Sequence, residues 1–326
     1  GAGWYFLAGP GAKKDPTLVA DVTPPGDNQA PAIVEKTKEP DVVPPKDTTL
    51  TIRVSRLAPG VFAAKLSYVW TGWVELPDGI LVVDSGMADS AGMALADTIR
   101  ARSPKKPFKY LVLTHAHDDH ILGAKPFLSA GATLVAQESL MHDIDSTLGL
   151  PDNPSHEIRV TNQKRLGTAT RPVDVVWLGR HADSRGDLIV HLPKQRVLFA
   201  GDLVWNKSIP WLLDPDFSMQ GWNASLDSLM SKRFAADVLV PGHGLLGKPG
   251  DGIRFTRDYL RDANDKATRL AGWGQTTAEP RRWGYLGPYE GMEFYQEVHF
   301  MNMKRLLAEA KGIHTKGRAK VKALRQ

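Results

Sequence analysis

Three histidines and two aspartates lie within six consecutive positions, in the stretch LTHAHDDH that begins at Leu113. Side chains two positions apart in an extended segment point to the same side, so His115 and His117 can hold one metal ion. Asp119 and His120 follow them and can contact a second ion nearby. Imidazole and carboxylate groups suit zinc, although they also suit iron or manganese. The stretch therefore predicts a metal centre.

Three further potential ligands stand where predicted strands end. His181 follows the strand-like VDVVWL, Asp202 ends VLFAGD, and His243 follows ADVLVPG. Each of them alone is typical of an ordinary polar turn. Together with the histidine stretch they make seven ligands, which is enough for two ions.

The elements that would position these ligands alternate between strands and helices. A folded domain is predicted to begin near Thr49 with short alternating strands, a turn at 76–79 and the strand ILVVDSG. Helical spacing follows over 90–102 and 221–232, and DLIVHLPKQRVLFAGD predicts a hairpin that turns at 193–195. Because hairpins interrupt the alternation, we expect a mixed α/β sandwich rather than a purely parallel sheet.

Composition narrows the class of protein. The chain has 326 residues, 42% of them hydrophobic, and no apolar run approaches the roughly 20 residues of a membrane-spanning helix. The absence of cysteine excludes disulfides, thiolate ligands and a cysteine nucleophile. The net charge of +5 is concentrated in residues 304–326, so a nucleic-acid-binding face across the domain is not indicated.

Three regions are predicted along the chain. Residues 1–48 carry closely spaced prolines among charged residues and are expected to form an extended linker. The apolar WYFLAG at its start is consistent with the end of a signal or anchor, which favours a periplasmic or membrane-tethered location over the cytoplasm. Residues 49–312 are the predicted catalytic domain, and residues 313–326 form a basic tail.

The motifs together resemble one known family. Residues 114–120, followed by Gly123, match the HxHxDH signature of the metallo-β-lactamase superfamily. LVVDSG at 81–86, His181 with the downstream Gly186 and Asp187, LFAGD at 198–202 and PGHG at 241–244 match its other motifs in order. The resemblance covers roughly residues 50–250. It implies a four-layer αβ/βα sandwich with a two-metal site at one edge.

The resemblance also implies a role for each ligand. The first metal would be bound by His115, His117 and His181, the second by Asp119, His120 and His243, and both by the bridging Asp202. Two zinc ions per chain are expected, with iron or manganese as alternatives. Two further carboxylates are assigned to catalysis: Asp119 would orient the attacking hydroxide, and Asp84 would orient the histidine loop. Asp118 occupies the variable position of the signature and is not a predicted ligand.

The expected reaction is hydrolysis of an ester, thioester or lactone by a metal-bound hydroxide. An aspartate at the bridging position is similar to glyoxalase II and to lactonases. Hydrolysis of a β-lactam by the same centre is an alternative, and so is a persulfide dioxygenase with a single iron. A non-catalytic binding protein that kept the site is a third class, which intact ligands make hard to explain. Metal content distinguishes these readings.

Substrate contacts are predicted on either side of the ligands. Tyr68 and Trp70 lie on the early hairpin, while Trp205 and Lys207 lie just beyond Asp202. They would line an aromatic, moderately apolar cleft for a small-molecule substrate, although aromatic residues at such spacing are also typical of a core. His299 is interpreted as structural. No nucleic-acid partner is expected, and an N-terminal membrane tether and a homodimer remain open predictions.

Overall fold

Two sets of strands pack face to face in this computed structural model, which describes residues 50–151 and 156–313. The first set contains β1 (Ile52–Ala58), β2 (Val61–Leu66), β3 (Val69–Leu76), β4 (Gly79–Val83), β5 (Phe108–Val112), β6 (Thr133–Gln137) and β7 (Glu157–Val160). The second contains β8 (Gln163–Gly167), β9 (Pro172–Trp177), β10 (Leu188–Leu192), β11 (Val197–Asn206) and β12 (Val238–Gly244).

Helices flank the strands in both halves. The α-helices are α1 (Asp89–Arg102), α2 (Asp118–Ile121), α3 (Lys125–Leu128), α4 (Met141–Leu148), α5 (Met219–Leu229), α6 (Pro249–Gly272), α7 (Pro280–Trp283) and α8 (Phe300–Ala310). A π-helical turn, Tyr295–His299, directly precedes α8. The predicted helices over 90–102 and 221–232 correspond to α1 and α5.

Within the described residues, one residue pair joins the two sets of strands in the sheet. The hydrogen-bonded order is β7-β6-β5-β4-β3-β12-β11-β10-β9-β8, with β2 also pairing with β3, and β1 with β2. Strands β4 to β7 run parallel to one another, as do β11 and β12, whereas β3 and β4 pair antiparallel and β10 and β11 form the predicted antiparallel hairpin. The link between β3 and β12 consists of the pair His243 and Val69.

Alternation along the strands builds the layers of the sandwich. In β4, Leu81 and Val83 point into an apolar layer between the two sets of strands, where residues of both sets meet. Ile80 and Val82 point the other way and pack with Leu95 of α1. Since neighbouring side chains of a strand face opposite sides, an apolar run such as this one is buried on both faces.

The second half repeats this arrangement. Val197 and Phe199 of β11 face the shared layer, while Leu198 and Ala200 face a core that includes α5, α6 and α8. Gly72 of β3 is required where the halves meet, because a Cβ atom there would lie 2.3 Å from Cε1 of Phe199. The resulting order of helices, sheet, sheet and helices is the predicted four-layer arrangement.

Some predictions fall on other parts of the chain. The linker at 1–48 lies outside the described residues, as does nearly all of the basic tail. Within 50–151 and 156–313, no helix has both the length and the apolar character needed to cross a membrane.

Candidate metal centre

Seven imidazole and carboxylate side chains gather in two groups at one edge of the sandwich. Within each group, one potential ligand atom per residue lies within 4.8 Å of the others. The first group comes from both halves of the fold, as does the second. The first group consists of His115, His117, Asp183 and Asp202, and the second of Asp119, His120 and His243.

Asp202 lies between the two groups and presents one oxygen to each. Its Oδ2 atom is 3.6 Å from Nε2 of His115, whereas its Oδ1 atom is 3.1 Å from Nε2 of His120 and 3.4 Å from Nε2 of His243. The carboxylate is 2% exposed. This is the arrangement that a carboxylate bridging two cations needs.

The backbone around Asp202 explains how the carboxylate reaches this position. Strand β11 pairs regularly with β12 up to Phe199, and the register then shifts on both sides of Gly201. Such irregularities re-aim side chains beside active sites. Gly242 of β12 faces the carboxylate so closely that a Cβ atom there would lie 1.8 Å from Oδ1 of Asp202. The glycine of PGHG therefore makes room for the carboxylate that lies between the two groups.

Asp84 supports the histidine loop, residues 114–120, by hydrogen bonds to its first and last residues. It lies immediately after β4, has a left-handed φ of 56° and is 2% exposed. Its carboxylate accepts hydrogen bonds from the backbone N–H and the hydroxyl of Thr114, both 2.8 Å long, and lies 2.9 Å from Nδ1 of His120. The neighbouring Ser85 hydroxyl donates to the carbonyl of His120. Asp84 thus contacts the loop and not the place where the ligand atoms converge.

These contacts also fix which ring nitrogens are free. The Thr114 hydroxyl donates to Asp84, so it can accept from Nδ1 of His115 at 3.0 Å. Nδ1 of His120 donates to Asp84 directly. In the neutral form of each ring this leaves Nε2 as the free nitrogen, turned toward Asp202, which is the tautomer a metal ligand requires.

The structure corrects the prediction for His181. Its side chain is exposed and belongs to neither group, whereas Asp183, two residues later, is fully buried with Oδ2 at 3.4 Å from Nδ1 of His117. The chain turns tightly here, because Ala182 donates its N–H to the carbonyl of Ser184. The turn directs Asp183 inward and leaves His181 in solvent. The other six predicted ligands are brought together.

A second residue that sequence reasoning missed holds His117 from its far side. Oδ2 of Asp214 lies 3.0 Å from Nε2 of His117, whose Nδ1 faces Asp183 and Asp202. Nothing in the spacing indicated Asp214, which is 97 residues from its partner. Asp183 could have been considered from the sequence, since it directly precedes the Ser-Arg-Gly-Asp run that leads into β10. The choice of His181 rested on residue type instead.

Buried atoms without partners show that the first group suits a cation. Nε2 of His115 and both carboxylate oxygens of Asp183 are buried and have no hydrogen-bond partner among the described residues. Burial lowers the pKa of His115, which keeps its imidazole neutral. Burial and the neighbouring Asp202 raise the pKa of Asp183 well above its usual range. A bound cation would supply the missing partner for all three atoms.

Charge in the second group favours an ionised Asp119. Burial raises the pKa of Asp119, but His120 and His243 lower it more, so the pKa falls below its usual value. Its side chain is 22% exposed and lies 3.3 Å from Nε2 of His243. Asp119 is therefore an anionic ligand that an incoming molecule can reach.

The predicted substrate contacts divide into two classes. Tyr68 is partly exposed and stacks beside His243, with ring centroids 5.8 Å apart. Trp205 stacks on the same imidazole at 4.0 Å, but it is 4% exposed and belongs to the core of the second half, so the prediction of a substrate contact there is wrong. Trp70 is instead part of the shared core, where its Nε1 donates to the carbonyl of Gly244. Lys207 is exposed, and its ammonium lies over the Phe255 ring rather than beside either ligand group.

A cleft of about 390 Å³ borders the first group. His117 and Asp214 form part of its lining, together with Asp143, Arg185 and Asp216. Arg185 donates to the carboxylates of Asp143 at 2.5 Å and of Asp216 at 2.8 Å. The guanidinium is thus already paired, and the cleft offers a substrate polar groups rather than an unpaired cation.

Comparison with known proteins agrees with this architecture. Residues 64–243 match the model of the metallo-beta-lactamase superfamily. A linear primary-alkylsulfatase from Pseudomonas sp. (strain ATCC 19151) is 26% identical over 263 residues, covering 63% of this chain and 48% of the relative. A metallo-beta-lactamase type 2 from Bacillus cereus is 27% identical over 241 residues, covering 70% and 89%. The chain thus spans about half the length of the alkylsulfatase.

Solved structures confirm the fold. A stereoselective inverting sec-alkylsulfatase from Pseudomonas sp. superposes with a TM-score of 0.64 at 17% identity, covering 82% of this chain and 52% of that one. A metallo-beta-lactamase from Pontibacter korlensis gives a TM-score of 0.56 at 22% identity, covering 65% and 100%. At these identities the likeness shows the four-layer sandwich alone.

Proposed function

The chain belongs to the metallo-beta-lactamase superfamily, and from that premise we propose that it hydrolyses a carboxylic ester, thioester or lactone with two bound zinc ions. The observation that carries the proposal is Asp202, whose two oxygens face the two ligand groups. That geometry suits a pair of cations better than one. Two bound ions would lower the pKa of water toward about 7 and polarise a carbonyl group.

Other residues of the chain would hold the attacking water and orient the imidazoles. Asp119 is anionic and partly exposed, so its carboxylate can accept a hydrogen bond from the attacking water and hold that water in place. Asp84 accepts a hydrogen bond from His120 and positions His115 through Thr114, and Asp214 pairs with His117, so the two carboxylates would orient the three imidazoles that hold the ions. Because the chain has no cysteine, no thiol nucleophile competes with this water.

Tyr68 is the proposed donor to the substrate. Its hydroxyl donates only weakly, to the thioether sulfur of Met87 at 3.4 Å. Burial, with Asp119 and Asp202 nearby, raises the pKa of Tyr68, so the hydroxyl keeps its proton throughout the neutral range. A substrate oxygen that carries developing negative charge would be a better acceptor than sulfur.

The cleft beside His117 supports an uncharged acyl group. Its guanidinium, Arg185, is neutralised by Asp143 and Asp216, and Asp214 adds a further carboxylate. An anionic substrate would have to displace one of these pairs. Neutral esters, thioesters and lactones meet no such cost, which favours them over β-lactams that carry a carboxylate.

Cleavage of a sulfate ester is the second candidate. It is favoured by the wider structural coverage of the sec-alkylsulfatase, 82% of this chain, compared with 65% for the Pontibacter metallo-beta-lactamase. The paired state of Arg185 speaks against it, since a sulfate group would need a cation of its own.

Metal analysis combined with a substrate panel tests the proposal. Protein purified without added metal should hold two zinc ions per chain and should turn over neutral esters, thioesters or lactones faster than β-lactams and alkyl sulfates. His117→Ala should abolish turnover while the circular dichroism spectrum stays unchanged. One iron per chain with oxygen consumption on a persulfide would replace the hydrolase with a dioxygenase, and preferred turnover of an alkyl sulfate would establish the second candidate.

A further inference from the structure

Phe294 has a backbone conformation that a bulky residue rarely adopts. Its φ is 65°, in the left-handed region, and the π-helical turn Tyr295–His299 begins at the next residue. Left-handed φ values and π-helical turns both carry a conformational cost and concentrate at functional sites. Glycine would avoid that cost, whereas phenylalanine incurs it and places an aromatic ring at this position.

Hydrogen bonds on both sides hold this conformation. The carbonyl of Glu293 accepts from the N–H of Ile209 at 2.9 Å, and the N–H of Glu293 donates to the carbonyl of Lys207. The carbonyl of Phe294 accepts from Val298 at 2.8 Å. Residues 207–209 directly follow β11, the strand that carries the bridging aspartate. The position of Phe294 is therefore coupled to the metal centre through the backbone.

The ring of Phe294 lies beside the second ligand group. Its centroid is 5.4 Å from that of Tyr68 in an edge-to-face arrangement, and 6.1 Å from that of His243. Phe294 and Tyr68 are both partly exposed, as is the carboxylate of Asp119. The three rings thus form an aromatic corner that opens beside the only partly exposed ligand of this group.

Packing alone does not account for this corner. Phe294 also contacts the helical core of the second half, and a phenyl ring can be retained for that reason. Core packing needs neither the left-handed backbone nor a ring edge beside a metal ligand. Phe294 also lies beyond residues 64–243, the part of the chain that matches the family model. The corner is completed by the chain's own C-terminal region.

We propose that Phe294 and Tyr68 form a specificity wall that holds an aromatic part of the substrate next to the second ligand group. Edge-to-face contacts with the two rings would favour a planar ring over an alkyl chain of similar polarity. The inference deepens the proposed hydrolase, naming aryl-substituted esters, thioesters or lactones as its substrates, and it rests on that function. The polar cleft beside His117 would receive the other end of the molecule.

Binding of two small carboxylates to the metal-loaded protein tests the wall without relying on turnover. Phenylacetate and acetate place the same carboxylate at the ions, and only phenylacetate carries a ring. Wild-type protein should bind phenylacetate about tenfold more tightly than acetate, as measured by calorimetry, which is the scale of one or two aromatic contacts. Phe294→Ala and Phe294→Gly should both abolish this preference and leave the affinity for acetate unchanged.

Two controls separate the wall from a structural role. Phe294→Gly should melt at a higher temperature than Phe294→Ala, because glycine tolerates the left-handed backbone, although both lose the preference equally. Phe255→Ala removes another partly exposed ring, on α6, and should keep the preference.

Retention of the aryl preference in Phe294→Ala would overturn the wall, and so would equal loss in Phe255→Ala. Failure of the hydrolase is a separate result. Wild-type protein that prefers phenylacetate through Phe294 but turns over none of the esters, thioesters or lactones would retain the wall and reject the proposed reaction.

Discussion

Asp214 and His117 form a carboxylate–imidazole pair with Oδ2 and Nε2 3.0 Å apart, while the other ring nitrogen faces Asp183 and Asp202. Three imidazoles of the two groups each have a tautomer set by a carboxylate outside the groups, and this pair is one of the three contacts. Asp84 makes the other two, directly to His120 and through Thr114 to His115. Ligand geometry in this centre therefore depends on residues that would touch no metal.

Removing the Asp214 carboxylate should weaken metal binding. Asp214→Ala is expected to lower the affinity of the first group by about 10 to 100-fold, because His117 loses the partner that orients its ring. Competition with a chromophoric chelator measures this affinity. Asp214→Asn keeps the side-chain oxygen that accepts from the N–H of Asp216 and should lose less. The surface variant Asp227→Ala is the control, and equal losses in Asp227→Ala and Asp214→Ala would contradict the role.

The first group contains Asp183 where the sequence predicted His181, and this difference can be tested directly. Asp183→Ala should lose one metal ion per chain, whereas His181→Ala should keep both, since only Asp183 is buried among the ligands. Elemental analysis of the purified variants gives the metal content. Loss of an ion from His181→Ala would restore the ligand set expected from the sequence.

Adjacent aspartates should behave differently in the histidine loop. Asp118 belongs to neither ligand group, whereas Asp119 lies 3.3 Å from Nε2 of His243. Asp118→Asn should retain both ions and near wild-type turnover. Asp119→Asn keeps nearly the same shape but removes the charge, and should lower kcat at least about 100-fold, as expected when the group that holds the attacking water is lost. Metal content and steady-state kinetics of the two variants check this, and loss of both ions from Asp118→Asn would show that the ligand assignment is wrong.

His299 should make stability depend on pH. Burial lowers its pKa to about 4, although its hydrogen bond to Gly284 opposes the shift. Above pH 6.5 the ring is neutral whether the chain is folded or unfolded. As the pH falls from 6.5 toward 4, the unfolded chain takes up a proton that the folded chain does not, so roughly 3 kcal/mol of stability is lost.

A substitution isolates this effect. His299→Gln can still donate to Gly284 and accept from Tyr259, but it does not titrate. Urea unfolding at pH 7 and pH 4.5 should therefore show a smaller acid loss in the variant, by about 2 kcal/mol. Equal losses in both proteins would mean that His299 is not buried in its neutral form.

Local sequence predicted the parts of the molecule that depend on short-range patterns. The strand before LTHAHDDH, the hairpin of β10 and β11, and the six predicted ligands that the fold brings together all depend on alternation, turn residues and residue type within a few positions. Asp183 was missed because a tight turn reverses which side chains face inward, and residue type does not report a turn.

Long-range contacts account for the other misses. Asp214 and Phe294 reach the centre from segments far along the chain, through packing against α6 and α8 and through the pairing of residues 207–209 with Glu293. Trp70 looked like a cleft residue because spacing cannot distinguish the two faces of a buried strand. Such contacts are properties of the assembled tertiary structure.

The narrow backbone link between the halves has a consequence for cooperativity. In the part of the chain that the structure describes, His243 and Val69 are the one residue pair that joins the two sets of strands in the sheet, and each ligand group draws residues from both sides of that link. Bound ions would act as a cross-link whose strength depends on free metal concentration and not on covalent chemistry. In a chelating environment the halves would lose this clamp together, and unfolding would pass from one transition toward two.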